Sequence, residues 1–182
     1  MATIVHRLDW PDRVVVGTVG LPGSRSFYLQ ARAGAQLVTI ALEKEQCAAL
    51  ADKIEEILDH LMGLAGNPAS VPAKTPVELV DNEPLEQPVE PEFRTGAISL
   101  GMDTSTAQIV IEAYPLVEPD ADGGDPGPVE PDEMMTIRIP VGTARAFAKR
   151  TLEVVAAGRP ICPLCGTPMD ANGHVCPPPP ES

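Results

Sequence analysis

Aromatic residues are nearly missing from this chain of 182 residues: one Trp, two Tyr and three Phe, 3 % of the whole. A core built from it must be largely aliphatic. Long apolar runs are missing too, and no stretch reaches the roughly 18 residues of a membrane-spanning helix. The first residues, Met1 to Asp9, carry no apolar run of the kind that marks a secretory signal. Cysteine is sparse, with four in all. One of them, Cys47, stands alone in a helical pattern, and the other three crowd the last positions, which is not the spread of an extracellular disulfide framework. No Walker motif, hydrolase elbow or paired-carboxylate signature occurs. These absences point to a soluble cytoplasmic protein with no membrane partner.

Basic residues are outnumbered, 13 Lys and Arg against 26 Asp and Glu, for a formal charge of −13. Such a balance argues against nucleic acid, but its distribution weakens the argument. Residues 66–92 hold six acids and one lysine, and residues 115–133 hold seven acids and no base. The remainder is close to neutral. The acidity belongs to segments that read as spacers.

Between the spacers the sequence repeats an order of elements. Arg13 to Gly20, Ser26 to Ala33 and Gln36 to Leu42 read as strands, rich in β-branched residues and punctuated by Leu21-Pro22-Gly23-Ser24 and Gly34-Ala35. Gly17, Gly20 and Gly23 fall in the first predicted hairpin and serve its turn rather than a phosphate loop. The period then changes: Cys47, Leu50, Ala51, Ile54, Ile57, Leu58, Leu61 and Met62 recur at helical spacing. Thr95 to Met102, Ala107 to Tyr114 and Met134 to Val141 predict three further strands. A second helix follows with Ala144, Phe147, Ala148, Leu152 and Val155 on its apolar face. Phe27-Tyr28-Leu29-Gln30-Ala31 resembles Ile109-Val110-Ile111-Glu112-Ala113 in pattern. The expected architecture is α+β: two β-β-β-α repeats around a pseudo-twofold axis, sharing one core, with a small zinc knuckle appended. The corresponding divisions are 1–66, a Pro- and acid-rich spacer 67–92, 93–158 with an acidic loop at 115–133, and a tail at 159–182. The spacer predicts an extended, partly solvated connection, the acidic loop a disordered one, and Pro177 to Pro180 a polyproline II end.

The tail carries the clearest chemistry. Cys162-Pro163-Leu164-Cys165-Gly166 has the two-residue gap that lets two thiolates reach one ion, and Gly166 permits the turn to close. Asn172-Gly173 is a tight-turn pair that returns His174 and Cys176 towards the same place. Three thiolates and one imidazole complete a tetrahedral set for structural Zn2+, with no position left for a reacting water. The one-residue gap between His174 and Cys176 is shorter than in a usual second knuckle. The alternatives are a flexible tail with redox-active thiols and an iron–sulfur site.

Basic and aromatic residues compose a second, weaker candidate. Arg13, Arg25 and Arg32 lie in the first sheet region, and Arg145, Lys149 and Arg150 on the second helix. Together with Phe27 and Tyr28 they offer a partner surface, or a phosphate-binding and base-stacking one. The bland alternative is a core for the aromatics and a solvated face for the cations. His6 and His60 have no nucleophile to serve.

Several segments occur in combination: Leu8-Asp9-x-Pro11-Asp12-Arg13, Gly17-Thr18-Val19-Gly20, Phe27-Tyr28-Leu29-Gln30-Ala31, Ala41-Leu42-Glu43-Lys44, Glu92-Phe93-Arg94-x-Gly96 and Arg159-Pro160-x-Cys162-Pro163-x-Cys165-Gly166. Together they resemble an uncharacterised actinobacterial family, a domain of unknown function with a zinc-ribbon-like end. The resemblance implies a cytoplasmic protein without an assigned activity and transfers no catalytic residue. A topological analogy to whirly and Pur-type single-strand-binding domains is looser still. The leading reading is a non-enzymatic zinc-containing adaptor with a protein partner, a monomer with internal symmetry or a small homo-oligomer. Nucleic-acid binding in transcription or RNA handling is the alternative. A hydrolase would need chemistry in a groove between the repeats, where no residues nominate themselves.

Overall fold

Strand-forming sequence starts earlier than the first predicted strand. Ile4–Asp9 forms β1, which the sequence reading omits. Its alternation sets Ile4, His6 and Leu8 on one face, but the polar His6, Arg7 and Asp9 dilute the signal. Its partner lies near the other end of the chain: β1 runs parallel to β7, with Leu8 opposite Ile137. The computed structural model describes residues 2–21, 23–118, 130–157, 162–167, 169 and 174–176.

The remaining elements follow in the expected order. They are β2 (Arg13–Val19), β3 (Ser26–Ala33), β4 (Gln36–Leu42), α1 (Lys44–Met62), β5 (Thr95–Asp103), β6 (Gln108–Pro115), β7 (Glu133–Pro140) and α2 (Val141–Ala156). The fold is α+β. Its strands make a four-stranded sheet in the order β1-β7-β6-β5 and a three-stranded sheet in the order β2-β3-β4. No helix among the described residues is long and apolar enough to cross a membrane.

Aliphatic residues of both sheets meet both helices in one core. Val16 stands opposite Leu29 and Leu29 opposite Ile40, so the register stacks three fully buried side chains on one face. Burying each stabilises the fold by about 1.5–3 kcal/mol. Cys47, Leu50, Ala51, Ile54 and Leu58 of α1 and Ala144, Phe147 and Ala148 of α2 join the same cluster. Helix α1 begins three residues before its apolar stripe because Gln46 Oε1 accepts the Glu43 N–H at 2.8 Å, closing the first turn. The two helices pack on each other, and α2 also lies along β2. There Arg150 Nε donates to the Val16 carbonyl at 3.0 Å. Gln46 of α1 reaches β5 in a similar way, donating to the carbonyls of Thr95 and Gly96 at 3.1 Å each.

The segment between α1 and β5 holds turns and one 3₁₀ turn at Val77–Leu79, with no strand or α-helix. It is not a loose connection, because it covers the second face of the β2-β3-β4 sheet. Leu85 is 6 % exposed and occupies the space that a Cβ on Gly17 would need, at 2.6 Å. Gly17 therefore serves this approach and not the hairpin turn, which is made by Gly20 and Gly23 at φ 103° and 93°. Gln30 holds the segment as a strand would: its Nε2 donates to the Glu86 carbonyl at 3.1 Å, and its Oε1 accepts the Glu86 N–H at 2.8 Å. Further along, the Glu92 N–H donates to the Thr39 carbonyl at 2.8 Å and the Ala41 N–H to the Phe93 carbonyl at 3.0 Å, which closes the free edge of β4. Of the acidic loop 115–133, only 115–118 and 130–133 are described. Asn172-Gly173 and Pro177 to Pro180 lie outside the described residues.

Candidate metal centre

Cys162, Cys165, His174 and Cys176 converge as their spacing predicts. One donor atom from each lies within 4.8 Å of all the others, and no disulfide joins the cysteines. The first pair is held by a closed turn. The Gly166 N–H donates to the Cys162 carbonyl at 2.9 Å, and the Cys162 N–H to the Thr167 carbonyl at 2.8 Å. Gly166 adopts φ 71°, in the left-handed region where a side chain is strained. Across the short gap, His174 and Cys176 both bring a donor atom to the first pair, while Val175, between them, is 91 % exposed.

The donors approach one another in two close pairs. Cys162 Sγ and Cys176 Sγ are 3.7 Å apart, and Cys165 Sγ and His174 Nε2 are 3.1 Å apart. Thr167, which the sequence reading left out, adds a hydroxyl 2.9 Å from Cys165 Sγ and 3.4 Å from His174 Nε2. Its hydrogen bond is the main reason that the Cys165 thiol is pushed down to about 6. Cys176 is pushed up to about 11 by its hydrogen bonds to Cys162 and Cys165. Three thiolates so close together repel unless a cation lies among them, and a bound divalent ion would displace the remaining protons. Only the position of Thr167, directly after the knuckle glycine, could have singled it out in the sequence.

The eight residues of the second candidate do not form one surface. Phe27 is buried in the core, and Tyr28, half-buried, lies beside Arg25, whose guanidinium stacks 5.2 Å from the Phe27 ring centre. Arg13 is held by Asp81, with Nε to Oδ2 at 2.7 Å, and Arg32 by Glu86 at 3.1 Å. Arg150 donates to Val16, Asp81 and Glu83, so it shares Asp81 with Arg13. Arg145 is buried between the helices, bonded to Glu55 at 2.5 Å and Asp59 at 3.0 Å. Lys149 faces Glu153 one turn on at 3.6 Å. These cations are spent on carboxylates and carbonyls of the same chain. His6 acquires a partner that the sequence did not suggest: its Nε2 lies 2.5 Å from Glu133 Oε1, bracing β1 against β7, with the exposed Glu92 beside them.

A family model described as "Protein of unknown function (DUF3090)" matches residues 6–176, a span that runs from β1 to the last of the four clustered donors. Neither the curated proteins nor the solved structures yield a match.

Proposed function

We propose, for a chain that belongs to the family Protein of unknown function (DUF3090), a role as a non-enzymatic binding or adaptor protein. Its tail holds one structural zinc ion through Cys162, Cys165, His174 and Cys176. The observation that carries the reading is the convergence of four protein donors within 4.8 Å. Zinc suits the set, because soft thiolates with one imidazole favour it over the hard cations. Zn–S bonds of about 2.3 Å in a tetrahedron place sulfurs about 3.8 Å apart, and Cys162 Sγ and Cys176 Sγ are separated by 3.7 Å. A filled coordination sphere leaves no place for substrate, so the ion shapes a surface instead of reacting. Two apolar side chains of the module, Leu164 and Val175, are 87 % and 91 % exposed, which supports recognition of a protein partner. Reduced thiols favour the cytoplasm.

The core of this adaptor is a duplicated β-β-β-α unit with a pseudo-twofold axis. Two features support the duplication: the order β2-β3-β4-α1 followed by β5-β6-β7-α2, and the reciprocal reach of α2 to β2 and α1 to β5. Nucleic-acid binding loses its footing, since Arg13, Arg32, Arg145 and Arg150 are already paired with acids.

Metal analysis of protein purified under reducing conditions tests the reading. The expected result is one zinc per chain, lost when Cys162 and Cys165 are both replaced by Ser. Stoichiometric zinc in that double variant, or iron with inorganic sulfide in the unaltered protein, overturns it.

A further inference from the structure

Both sheets end in edges, and the chain closes them unequally. The β2 edge is covered by α2, with Arg150 bonded to the Val16 carbonyl. The β4 edge is closed by Glu92 and Phe93. The β1 edge is short and carries charge, with Arg7 and Asp9 both exposed. Short, charged or covered edges are how sheets avoid pairing with other chains. Among the described residues, β5 has none of these protections over most of its length. It is nine residues long, Thr-Gly-Ala-Ile-Ser-Leu-Gly-Met-Asp, with no Lys, Arg or Pro and its only charge at the last position. Gln46 satisfies the carbonyls of Thr95 and Gly96 at its start. Beyond them, a groove of about 390 Å³ runs between the free edge and α1, floored by Ala49, Leu50 and Ile57 on one side and Ile98 and Leu100 on the other, with Lys53 at its rim.

We infer that this edge is a self-association surface, on which a second copy of the chain lays its own β5 antiparallel to the first. An unpaired strand edge is satisfied by another strand, and the strand that fits here needs apolar side chains at alternate positions and no charge along its middle. β5 itself meets that description: Ile98, Leu100 and Met102 are half-buried on one side, while Ala97, Ser99 and Gly101 are small and exposed on the other. The pairing is isologous and closes after two copies. It joins two four-stranded sheets into one of eight strands and brings Ile98 and Leu100 of each copy to the groove beside the other's α1. The inference does not depend on the metal ion.

Sedimentation equilibrium over a dilution series tests it, with zinc-loaded and chelator-treated protein run in parallel. The expected mass at the high end is twice the 19.2 kDa of the chain in both samples. The Ser99→Lys/Gly101→Lys double variant should sediment as the monomer, because like charges then face each other across the new edge. A side chain at Gly101 meets nothing within 4 Å, so the variant retains its fold, which circular dichroism checks. Hydrogen exchange of the unaltered protein gives a second measurement: β5 amides should lose protection on dilution while β3 amides do not. A monomer at every concentration, a dimer that survives the double substitution, or a dimer lost on chelation overturns the inference.

Discussion

Removing the carboxylate of Asp81 is the most exacting test of how the fold is held. This side chain accepts hydrogen bonds from Arg13 Nε at 2.7 Å, Arg13 Nη2 at 3.1 Å and Arg150 Nη1 at 3.2 Å. Both guanidinium side chains are only 13 % exposed, whereas that of Asp81 is 29 % exposed. In Asp81→Ala, two largely buried cations lose their shared anion and face each other. Breaking a fully buried pair costs about 3–5 kcal/mol, and an exposed pair is worth at most about 1. The partial exposure of Asp81, with the carbonyls of Glu83 and Pro84 that Arg13 retains and those of Val16, Asp81 and Glu83 that Arg150 retains, places this case at about 2 kcal/mol. For a chain of this size that lowers Tm by about 4–8 °C. The pH dependence gives the sign. Arg13, hydrogen-bonded to ionised Asp81, holds its carboxyl below the usual range. A depressed carboxyl stabilises fully above its unfolded value of about 3.9 and loses that contribution as pH falls through the lower folded value. Urea denaturation at pH 7 should therefore separate the two proteins by about 2 kcal/mol, with the gap narrowing below about pH 4. Equal midpoints at pH 7, or a gap that persists undiminished in acid, would refute the reasoning.

Gly17→Ala should cost about 1–3 kcal/mol through its clash with Leu85, and most of that cost should vanish in a Leu85→Ala background; a denaturation double-mutant cycle measures the coupling. Cys47 is fully buried and its thiol is pushed up to about 12 by that burial, so it should resist iodoacetamide until the protein unfolds. Metal-free folded protein should then yield Cys165 and Cys176 to a thiol reagent ahead of Cys162, which is 4 % exposed, and zinc should protect all three. Thr167→Val should weaken zinc binding by about 10–100-fold in a competition assay with a chromophoric chelator, as loss of a hydrogen-bonded neighbour to a ligand does elsewhere. Chelation should leave the melting of the core unchanged within about 1 °C, because the hydrogen bonds described for the tail close on the tail itself.

Where an element advertises itself by periodicity, the sequence was enough to place it. β3 and β4 occupy the predicted residues, and of the apolar stripe of α1 Cys47, Leu50, Ala51, Ile54 and Leu58 are buried while Ile57, Leu61 and Met62 are half-buried. The clustering of Cys162, Cys165, His174 and Cys176 was legible because ligand chemistry restricts residue type and spacing so tightly. β1 was not, since its stability comes from pairing with a strand at the far end of the chain, and its own polar residues hide the alternation. Nor was the docking of residues 63–92 legible. It depends on a side chain that Gly17 lacks and on the amide of Gln30, buried at 2 % exposure, mimicking a strand's backbone pair. Neither property has a signature in composition, which records only prolines and acids in that segment.

The charge pattern follows from the same docking. Divided by segment, the chain is an acidic spacer beside a sheet and helix rich in arginine, an arrangement that invites an anionic partner for the arginines. Folding brings the two together. Asp81 takes Arg13 and Arg150, and Glu86 takes Arg32 and approaches Arg13. Asp81 and Glu86 thus supply the counter-charge for Arg13 of β2, Arg32 of β3 and Arg150 of α2. A segmental excess of one sign predicts a foreign ligand only if the segments stay apart, and here a glycine-sized gap in β2 lets them meet.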